Sequence, residues 1–125
     1  MRLLLDTHAL LWWLGNDPEL SQAAIAAIGA PDSEVAVSAA SAWEIAIKRA
    51  LGKLTAPDDL EAQLDHHDFG CLPITVAHAL LAGSLPRHHD DPFDRMLVAQ
   101  AQVEGLVLVT RDTRIEPYGV PTLRA

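Results

Sequence analysis

Hydrophobic residues in this chain follow two patterns. Residues 3–5 and 106–109 form short, continuous apolar runs without polar alternation, which is typical of strands buried on both faces of a parallel sheet. The longer segments between such runs carry apolar residues three or four positions apart, a spacing that predicts helices with one buried face. Apolar strands separated by helices of this kind indicate an α/β protein.

The predicted elements alternate along the whole chain. Strands are expected at residues 1–5, 34–37, 71–74 and 106–109, with a weak fifth at 120–123, and helices at 9–14, 19–28, 38–51, 57–66, 75–85 and 93–104. This order predicts a three-layer α/β/α sandwich with a mainly parallel central sheet and right-handed crossovers. At 125 residues the chain is expected to form one domain, residues 1–125.

Composition and charge narrow the classes of function. Half of the residues are hydrophobic, which suits a sheet covered on both faces. The formal net charge of −8 argues against a protein that holds nucleic acid on a basic face, but it is compatible with an enzyme that recruits divalent cations. The single cysteine excludes an internal disulfide, and no membrane span or signal peptide is evident, so a cytoplasmic protein without membrane contact is expected.

Four acidic residues occupy matching places in the predicted topology. Asp6 ends the first strand, and Asp112 follows the strand at 106–109. Glu44 and Asp94 lie near the starts of two helices. Strand ends and helix starts meet at one edge of a parallel sheet, so the four carboxylates are expected to converge. Since Mg²⁺ prefers oxygen ligands, the cluster predicts a site for one or two divalent ions.

Each acid also has a purely structural interpretation. Glu44 fits a formal capping box, and Asp112 fits the cap of a turn. Asp91 and Asp94 flank a proline in the way that the N-cap and third residue of a helix do. Asp6 has no evident capping role, so the four acids taken together favour a site.

Four motifs, in order, resemble those of the PIN-domain nucleases. They are Leu3-Leu-Leu-Asp6-Thr7-His8, Ser41-Ala-Trp-Glu44-Ile45, Asp91-Pro-Phe-Asp94-Arg-Met96 and Leu108-Val-Thr110-Arg-Asp112, and they span nearly the whole chain. Within that family the chain resembles the VapC toxins of bacterial toxin–antitoxin pairs. The resemblance implies a PIN-like fold and an Mg²⁺- or Mn²⁺-dependent endoribonuclease that leaves a 5′-phosphate and a 3′-hydroxyl.

The resemblance also assigns roles to the acids. The residues that match Asp6, Glu44, Asp94 and Asp112 hold the metal in such enzymes and are expected to be the catalytic residues here. Asp6 and Asp94 are expected to bind it directly, and Glu44 either directly or through a water. A bound ion lowers the pKa of its water and neutralises charge on the phosphate, so no side-chain nucleophile is needed.

Five neighbouring residues are candidates for supporting roles. Thr7, Thr110 and Asp91 are placed to orient the carboxylates through hydrogen bonds. Arg95 and Arg111 are candidates for holding RNA phosphates in forked geometry, and the alternative for both is a salt bridge to the same acids.

The resemblance implies partners as well. A VapB-type antitoxin is expected to cover the site with its C-terminal segment and to make the only DNA contact of the pair. A homodimer is also expected, as is common in the family. Trp12 and Trp13 cannot face the same side of a helix, so one of them is expected near the surface as part of an interface.

Other interpretations fit parts of the pattern. Mg²⁺-dependent phosphatases with an aspartyl nucleophile share the strand that ends in Asp, but they usually have a second Asp where this chain has His8. A catalytically inactive PIN-like interaction domain would use the acids as helix caps. The segment 88–91 contains two histidines and two aspartates, but adjacent loop residues seldom face one ion, so no separate metal site is predicted there.

Overall fold

A five-stranded, fully parallel sheet lies at the centre of the computed structural model, which describes all 125 residues. Its strands are β1 (Arg2–Leu5), β2 (Glu34–Ser38), β3 (Gly70–Leu72), β4 (Val107–Thr110) and β5 (Thr122–Arg124), in the spatial order β3-β2-β1-β4-β5. Pro73 follows directly after β3, which is an edge strand, where the loss of a backbone N–H is tolerated.

Helices cover both faces of this sheet. They are α1 (Thr7–Leu14), α2 (Gln22–Gly29), α3 (Ala39–Ala50), α4 (Leu60–His66), α5 (Val76–Ser84) and α6 (Pro92–Glu104). The predicted three-layer α/β/α sandwich with a parallel sheet is thereby confirmed. A 3₁₀ turn at Thr113–Tyr118 was not predicted, because its sequence has no apolar period and contains Pro117. None of the helices has the length and apolar character needed to cross a membrane.

The central strands explain the continuous apolar runs. Leu3 and Leu5 pack on one side of β1 with residues of α1, α2 and α4, whereas Leu4 and Leu108 face the side covered by α5 and α6. Neighbouring side chains of a strand point to opposite faces, so a strand covered on both faces needs an apolar residue at every position. These four leucines are fully buried.

The start of α1 differs from the prediction. The helix begins at Thr7 rather than at Ala9, and Asp6 is its N-cap, with the Asp6 Oδ1 accepting a hydrogen bond of 2.8 Å from the Ala9 N–H. The expectation that Asp6 has no capping role is therefore wrong. β1 passes into α1 without a loop, so the carboxylate is fixed by both elements at the sheet edge.

Candidate active site

All four predicted acids line one cleft at the carboxyl edge of the sheet. The cleft has a volume of about 170 Å³ and is lined by Asp6, Thr7, His8, Trp12, Glu44, Lys48, Asp91, Asp94, Arg111, Asp112 and Arg114. Only one of these lining residues is hydrophobic. The ends of β1 and β4 and the helices α3 and α6 bring the acids together, as the topology predicted.

Asp6 lies at the base of the cleft and is almost fully buried. Burial is the main reason that its pKa is raised above the ordinary value of 3.8, and the nearby Glu44 raises it further. Hydrogen bonds from the Ala9 N–H and the Thr110 hydroxyl act in the opposite direction. The Thr110 hydroxyl also accepts a hydrogen bond from the Asp112 N–H at 3.1 Å, and Thr110 stays a candidate for orienting the Asp6 carboxylate.

Glu44 is held at both of its oxygens. The Thr7 hydroxyl donates to Oε1 and the Lys48 ammonium donates to Oε2, each at 2.5 Å. The hydrogen bond with Glu44 is also the largest cause of a raised pKa of Lys48. Ser38 rather than Ser41 caps α3, so the capping box suggested for Glu44 is absent and its carboxylate is directed to the cleft.

Asp94 carries a negative charge that its surroundings compensate poorly. Asp91 is the N-cap of α6 and accepts hydrogen bonds from the Phe93 and Asp94 N–H groups at 2.8 and 3.1 Å, so the Asp94 carboxylate is not used for capping. Burial, followed by the negative charges of Asp91 and Asp6, raises the pKa of Asp94 from 3.8 to about 6. His89 opposes this rise.

His89 joins two of the acids and was not predicted as a site residue. Its Nε2 lies 2.8 Å from Asp94 Oδ2 and 3.0 Å from Asp112 Oδ2, and the residue is buried. The ligand atoms of these three residues lie within 4.8 Å of one another. Residues 88–91 were considered above only as ligands from one loop, whereas the carboxylate partners of His89 come from α6 and from the segment after β4.

Asp112 is the most strongly compensated acid. Arg114 donates to it from its backbone N–H at 2.9 Å, from Nε at 3.0 Å and from one terminal nitrogen at 2.8 Å. These contacts, together with His89, lower the pKa of Asp112 to about 2. Asp112 also caps the 3₁₀ turn, so its structural and site roles coincide.

The structure places the two predicted phosphate-binding arginines differently from each other. Arg95 donates to the backbone carbonyls of Ala82, Leu85, Pro86 and His89. The structure thus directs its terminal nitrogens to these carbonyls, and no salt bridge joins Arg95 to the four acids. Arg95 instead holds the loop that carries His89.

Arg111 remains at the cleft. Its guanidinium lies 4.5 Å from the centre of the Trp12 ring and donates to Glu19 and to the carbonyl of Ala125. Its ion pair is thus with Glu19 and not with the four acids. Arg114 is a further cleft cation, which was not predicted.

A second, more apolar groove adjoins the cleft. It has a volume of about 530 Å³, shares His8 and Trp12 with the cleft, and is also lined by Leu11, Leu14, Leu54, Ala56 and Pro57 among others. Trp12 and Trp13 are both half-buried. Trp13 donates from Nε1 to His67 Nδ1 at 3.3 Å and contacts Phe69, so Trp12 is the tandem tryptophan that faces the grooves.

The donor set fits a divalent cation. Asp6 and Asp94 present carboxylate oxygens in one cleft, and burial raises the pKa of both. The hydrogen bonds and positive charges around these two carboxylates therefore do not fully offset the cost of burying their negative charges. Oxygen donors of this kind suit Mg²⁺ and Mn²⁺. A cation between them would supply the missing positive charge.

Comparison with known proteins gives consistent matches along the whole chain. The family model of the PIN domain matches residues 3–120. Ribonuclease VapC22 of Mycobacterium tuberculosis is 35% identical over 127 aligned positions, which cover 95% of this chain and 93% of that protein.

Solved structures also share the fold. The VapBC2 complex of Rickettsia felis bound to a promoter DNA fragment has a chain that matches with a TM-score of 0.70 and 15% identity, covering 99% of this chain and 98% of that one. A toxin–antitoxin complex from Klebsiella pneumoniae matches with a TM-score of 0.68 and 20% identity, covering 98% and 96%. At these identities the likeness establishes the fold.

Proposed function

This chain belongs to the PIN-domain family, as its four motifs predicted, and on that premise we propose that it is a VapC-like, metal-dependent endoribonuclease that hydrolyses RNA phosphodiester bonds. The nuclease domain spans residues 1–125, and its activity is expected in the cytoplasm. The observation that carries the proposal is the convergence of Asp6, Glu44, Asp94 and Asp112 on one polar cleft. The relative that shares 35% of its residues is a ribonuclease by name, which supports the same activity.

Asp6 and Asp94 are the residues that would hold the ion, since both face the cleft with undercompensated charge. When bound, Mg²⁺ or Mn²⁺ supplies a Lewis acid and lowers the pKa of a water that attacks phosphorus. Glu44 stays oriented because Thr7 and Lys48 each hold one of its oxygens.

Cationic side chains at the cleft favour capture of a phosphate backbone. Arg111 and Arg114 line the cleft beside the acids, and Lys48 lies on its α3 side. Both guanidinium groups already donate to other partners, Arg111 to Glu19 and Ala125 and Arg114 to Asp112, so they favour an RNA phosphate through their positive charge and not through a free fork of donors. The net charge of −8 opposes RNA binding elsewhere on the surface, so these few cations would restrict RNA to the site.

The test is RNA cleavage by purified protein in Mn²⁺, in Mg²⁺ and in EDTA. Cleavage is expected with either ion, and it should fall to background in EDTA and return when the ion is restored in excess. The products should carry 5′-phosphate and 3′-hydroxyl ends, which end-specific labelling distinguishes.

Activity that persists in EDTA after exhaustive dialysis would contradict metal dependence. Protein that binds an antitoxin but cuts no RNA under either ion would favour the alternative, a catalytically inactive PIN-like interaction domain. The assay should include structured RNAs such as tRNA and rRNA as well as mRNA, since the chain's own RNA target is not defined by the four motifs.

An antitoxin of the VapB type is the proposed regulatory partner. The apolar groove beside the cleft, with Leu11, Leu14 and Trp12 on α1, suits an apolar peptide segment that continues into the acidic cleft. A basic residue of such a segment would complement the undercompensated carboxylates there. DNA contact is expected only through this partner, as the chain itself has a strongly acidic balance.

A homodimer is the proposed assembly, and α5 offers a surface for it. Val76 and Leu80 lie four residues apart on this helix and are 75% and 71% exposed, and neighbouring large apolar side chains at such exposure favour an interface.

Replacing Leu80 with Lys is expected to convert a dimer into a monomer in sedimentation velocity. The matched change Gln102→Lys on the exposed side of α6 should leave the dimer intact. A wild-type protein that sediments as a monomer at high concentration would contradict the homodimer.

A further inference from the structure

We propose that His89 is a positioning residue for Asp94, and that Asp112 acts on the site through His89 instead of binding the metal directly. The proposal rests on the metal dependence proposed above. It concerns the Asp112–His89–Asp94 chain of hydrogen bonds, which is defined by the two contacts of the His89 Nε2 at 3.0 and 2.8 Å.

The hydrogen-bond network assigns the proton of the imidazole. His89 Nδ1 accepts a hydrogen bond from the Asp91 N–H at 3.3 Å, so in the neutral ring the hydrogen is on Nε2. The Nε2–H then points between Asp94 Oδ2 and Asp112 Oδ2. An imidazole that donates in this way holds two carboxylates at a fixed separation without itself offering a lone pair to an ion.

The backbone of His89 is fixed as firmly as its side chain. Its N–H donates to the Tyr118 hydroxyl at 3.0 Å, and its carbonyl accepts from Arg95 at 3.3 Å. The side chain is only 3% exposed. His89 is therefore part of a preformed frame that Tyr118 and Arg95 hold from the backbone side.

The two carboxylates joined by His89 have unequal capacity left for a metal. Asp112 already accepts two hydrogen bonds at Oδ1 from Arg114, and at Oδ2 it accepts one from Arg114 and one from His89. A carboxylate has about four lone-pair sites, so Asp112 is saturated. Asp94 uses Oδ2 for His89, whereas its Oδ1 makes no side-chain hydrogen bond, and Asp94 lines the cleft.

Because Asp112 is saturated and Asp94 is not, we expect each residue of this chain to orient the next one, from Arg114 to Asp94. Arg114 fixes Asp112, Asp112 fixes the ring of His89, and the Nε2–H of His89 fixes the carboxylate plane of Asp94 so that Oδ1 is presented to the ion. Hydrogen bonds that orient a ligating carboxylate commonly change metal affinity by about 10- to 100-fold when they are removed.

The test measures the affinity for Mn²⁺ alone, by isothermal titration calorimetry without RNA. His89→Ala is expected to weaken Mn²⁺ binding by about 10- to 100-fold. His89→Gln should retain affinity within about threefold, because the amide Nε2 of glutamine is placed similarly to the imidazole Nε2 and also carries hydrogens. His88→Ala, at the exposed neighbouring position, is the matched control and should bind as the wild type does.

A double-mutant cycle tests the role of Asp112. Asp112→Ala should weaken Mn²⁺ binding in the wild-type background, but in the His89→Ala background it should change affinity by no more than about twofold, since the path from Asp112 to Asp94 is already broken. A direct ligand would lower the affinity by its full factor in both backgrounds, and that result would overturn the assignment of Asp112.

Three further results have distinct meanings. Wild-type affinity in His89→Ala would overturn the positioning role, and a glutamine variant as weak as the alanine variant would show that the imidazole itself binds the ion. If His89→Ala does not fold by circular dichroism, His89→Leu, which fills similar space without a hydrogen-bond donor, takes its place with the same expected loss of affinity. A wild-type protein that binds no Mn²⁺ would instead overturn the proposed metal dependence, and so the two proposals fail in different ways.

Discussion

Replacing Asp94 with Asn is expected to lower the kcat for RNA cleavage by at least about a thousandfold. The change keeps the shape of the side chain and an acceptor for His89, but it removes one of the two undercompensated charges that would hold the ion. Metal catalysis contributes several kcal/mol to the barrier, and each 1.36 kcal/mol is about tenfold in rate. Cleavage should be measured at saturating Mn²⁺, so that a loss of affinity for the ion is separated from a loss of rate.

The matched control is Asp90→Asn. Asp90 lies in the same loop region, but its side chain is exposed and forms only a long surface ion pair of 4.0 Å with Arg87. This variant should cleave at close to the wild-type rate. An Asp94→Asn protein that retains its fold and cuts RNA normally would show that the cleft is not the nuclease site. Antitoxin binding through the apolar groove should survive in Asp94→Asn, weakened only by the loss of one carboxylate charge in the cleft, which separates loss of catalysis from loss of the partner surface.

The same Asp94→Asn change is expected to stabilise the metal-free protein by about 1 to 2 kcal/mol at pH 7.5. The pKa of Asp94 is raised from 3.8 to about 6, so its charged form is disfavoured in the folded state. A shift of this size corresponds to at most about 3 kcal/mol, and partial exposure of the side chain reduces it through solvent screening. Urea unfolding of both proteins in EDTA measures the difference. An asparagine variant less stable than the wild type would contradict this account of the site.

The dependence of stability on pH has the same origin. Because the folded-state pKa of Asp94 lies above its ordinary value, the folded protein binds more protons than the unfolded chain between about pH 4 and 6. Its destabilising contribution is therefore full above pH 6 and is relieved as the pH falls toward 4. Asp112, with a pKa lowered to about 2, acts oppositely: its stabilising contribution is present above pH 4 and is lost as the pH falls through 2.

Asp94→Asn should accordingly show a smaller gain in stability between pH 7.5 and pH 5 than the wild type does. Added Mn²⁺ should raise the free energy of unfolding of the wild type more than that of the variant, because an ion that binds only the folded state stabilises it. Equal pH profiles for the two proteins would show that the charge of Asp94 is compensated in the folded state.

The sheet and the convergence of the acids were predictable because both depend on periodicity. A run such as residues 3–5 has no exposed position, which requires cover on both faces, and in a parallel sheet the residue after each strand is delivered to one edge. Asp6 and Asp112 follow from this rule directly. Asp94 follows from the proline that fixes the start of α6.

The supporting contacts were not predictable because they join residues distant in sequence. His89 finds Asp112 23 positions away, and Arg95 turns toward backbone carbonyls, which no sequence pattern reveals. The capping role of Asp6 was missed for a local reason. Thr7 and His8 lack the apolar character used to detect α1, so its first turn was assigned to the preceding segment.

The position of β1 in the sheet has a consequence for the order of folding during synthesis. β1 is made before the other strands, yet it lies between β2 and β4, and the backbone N–H of Asp6 donates to the carbonyl of Val109 at 3.0 Å. Pairing across more than a hundred residues makes closure of the sheet a late, non-local event. Asp6 cannot meet Asp94 and Asp112 until β4 has emerged, so an incomplete nascent chain has no assembled cleft. Until β4 is in place, the chain therefore lacks the site that is proposed to hold the metal and cut RNA.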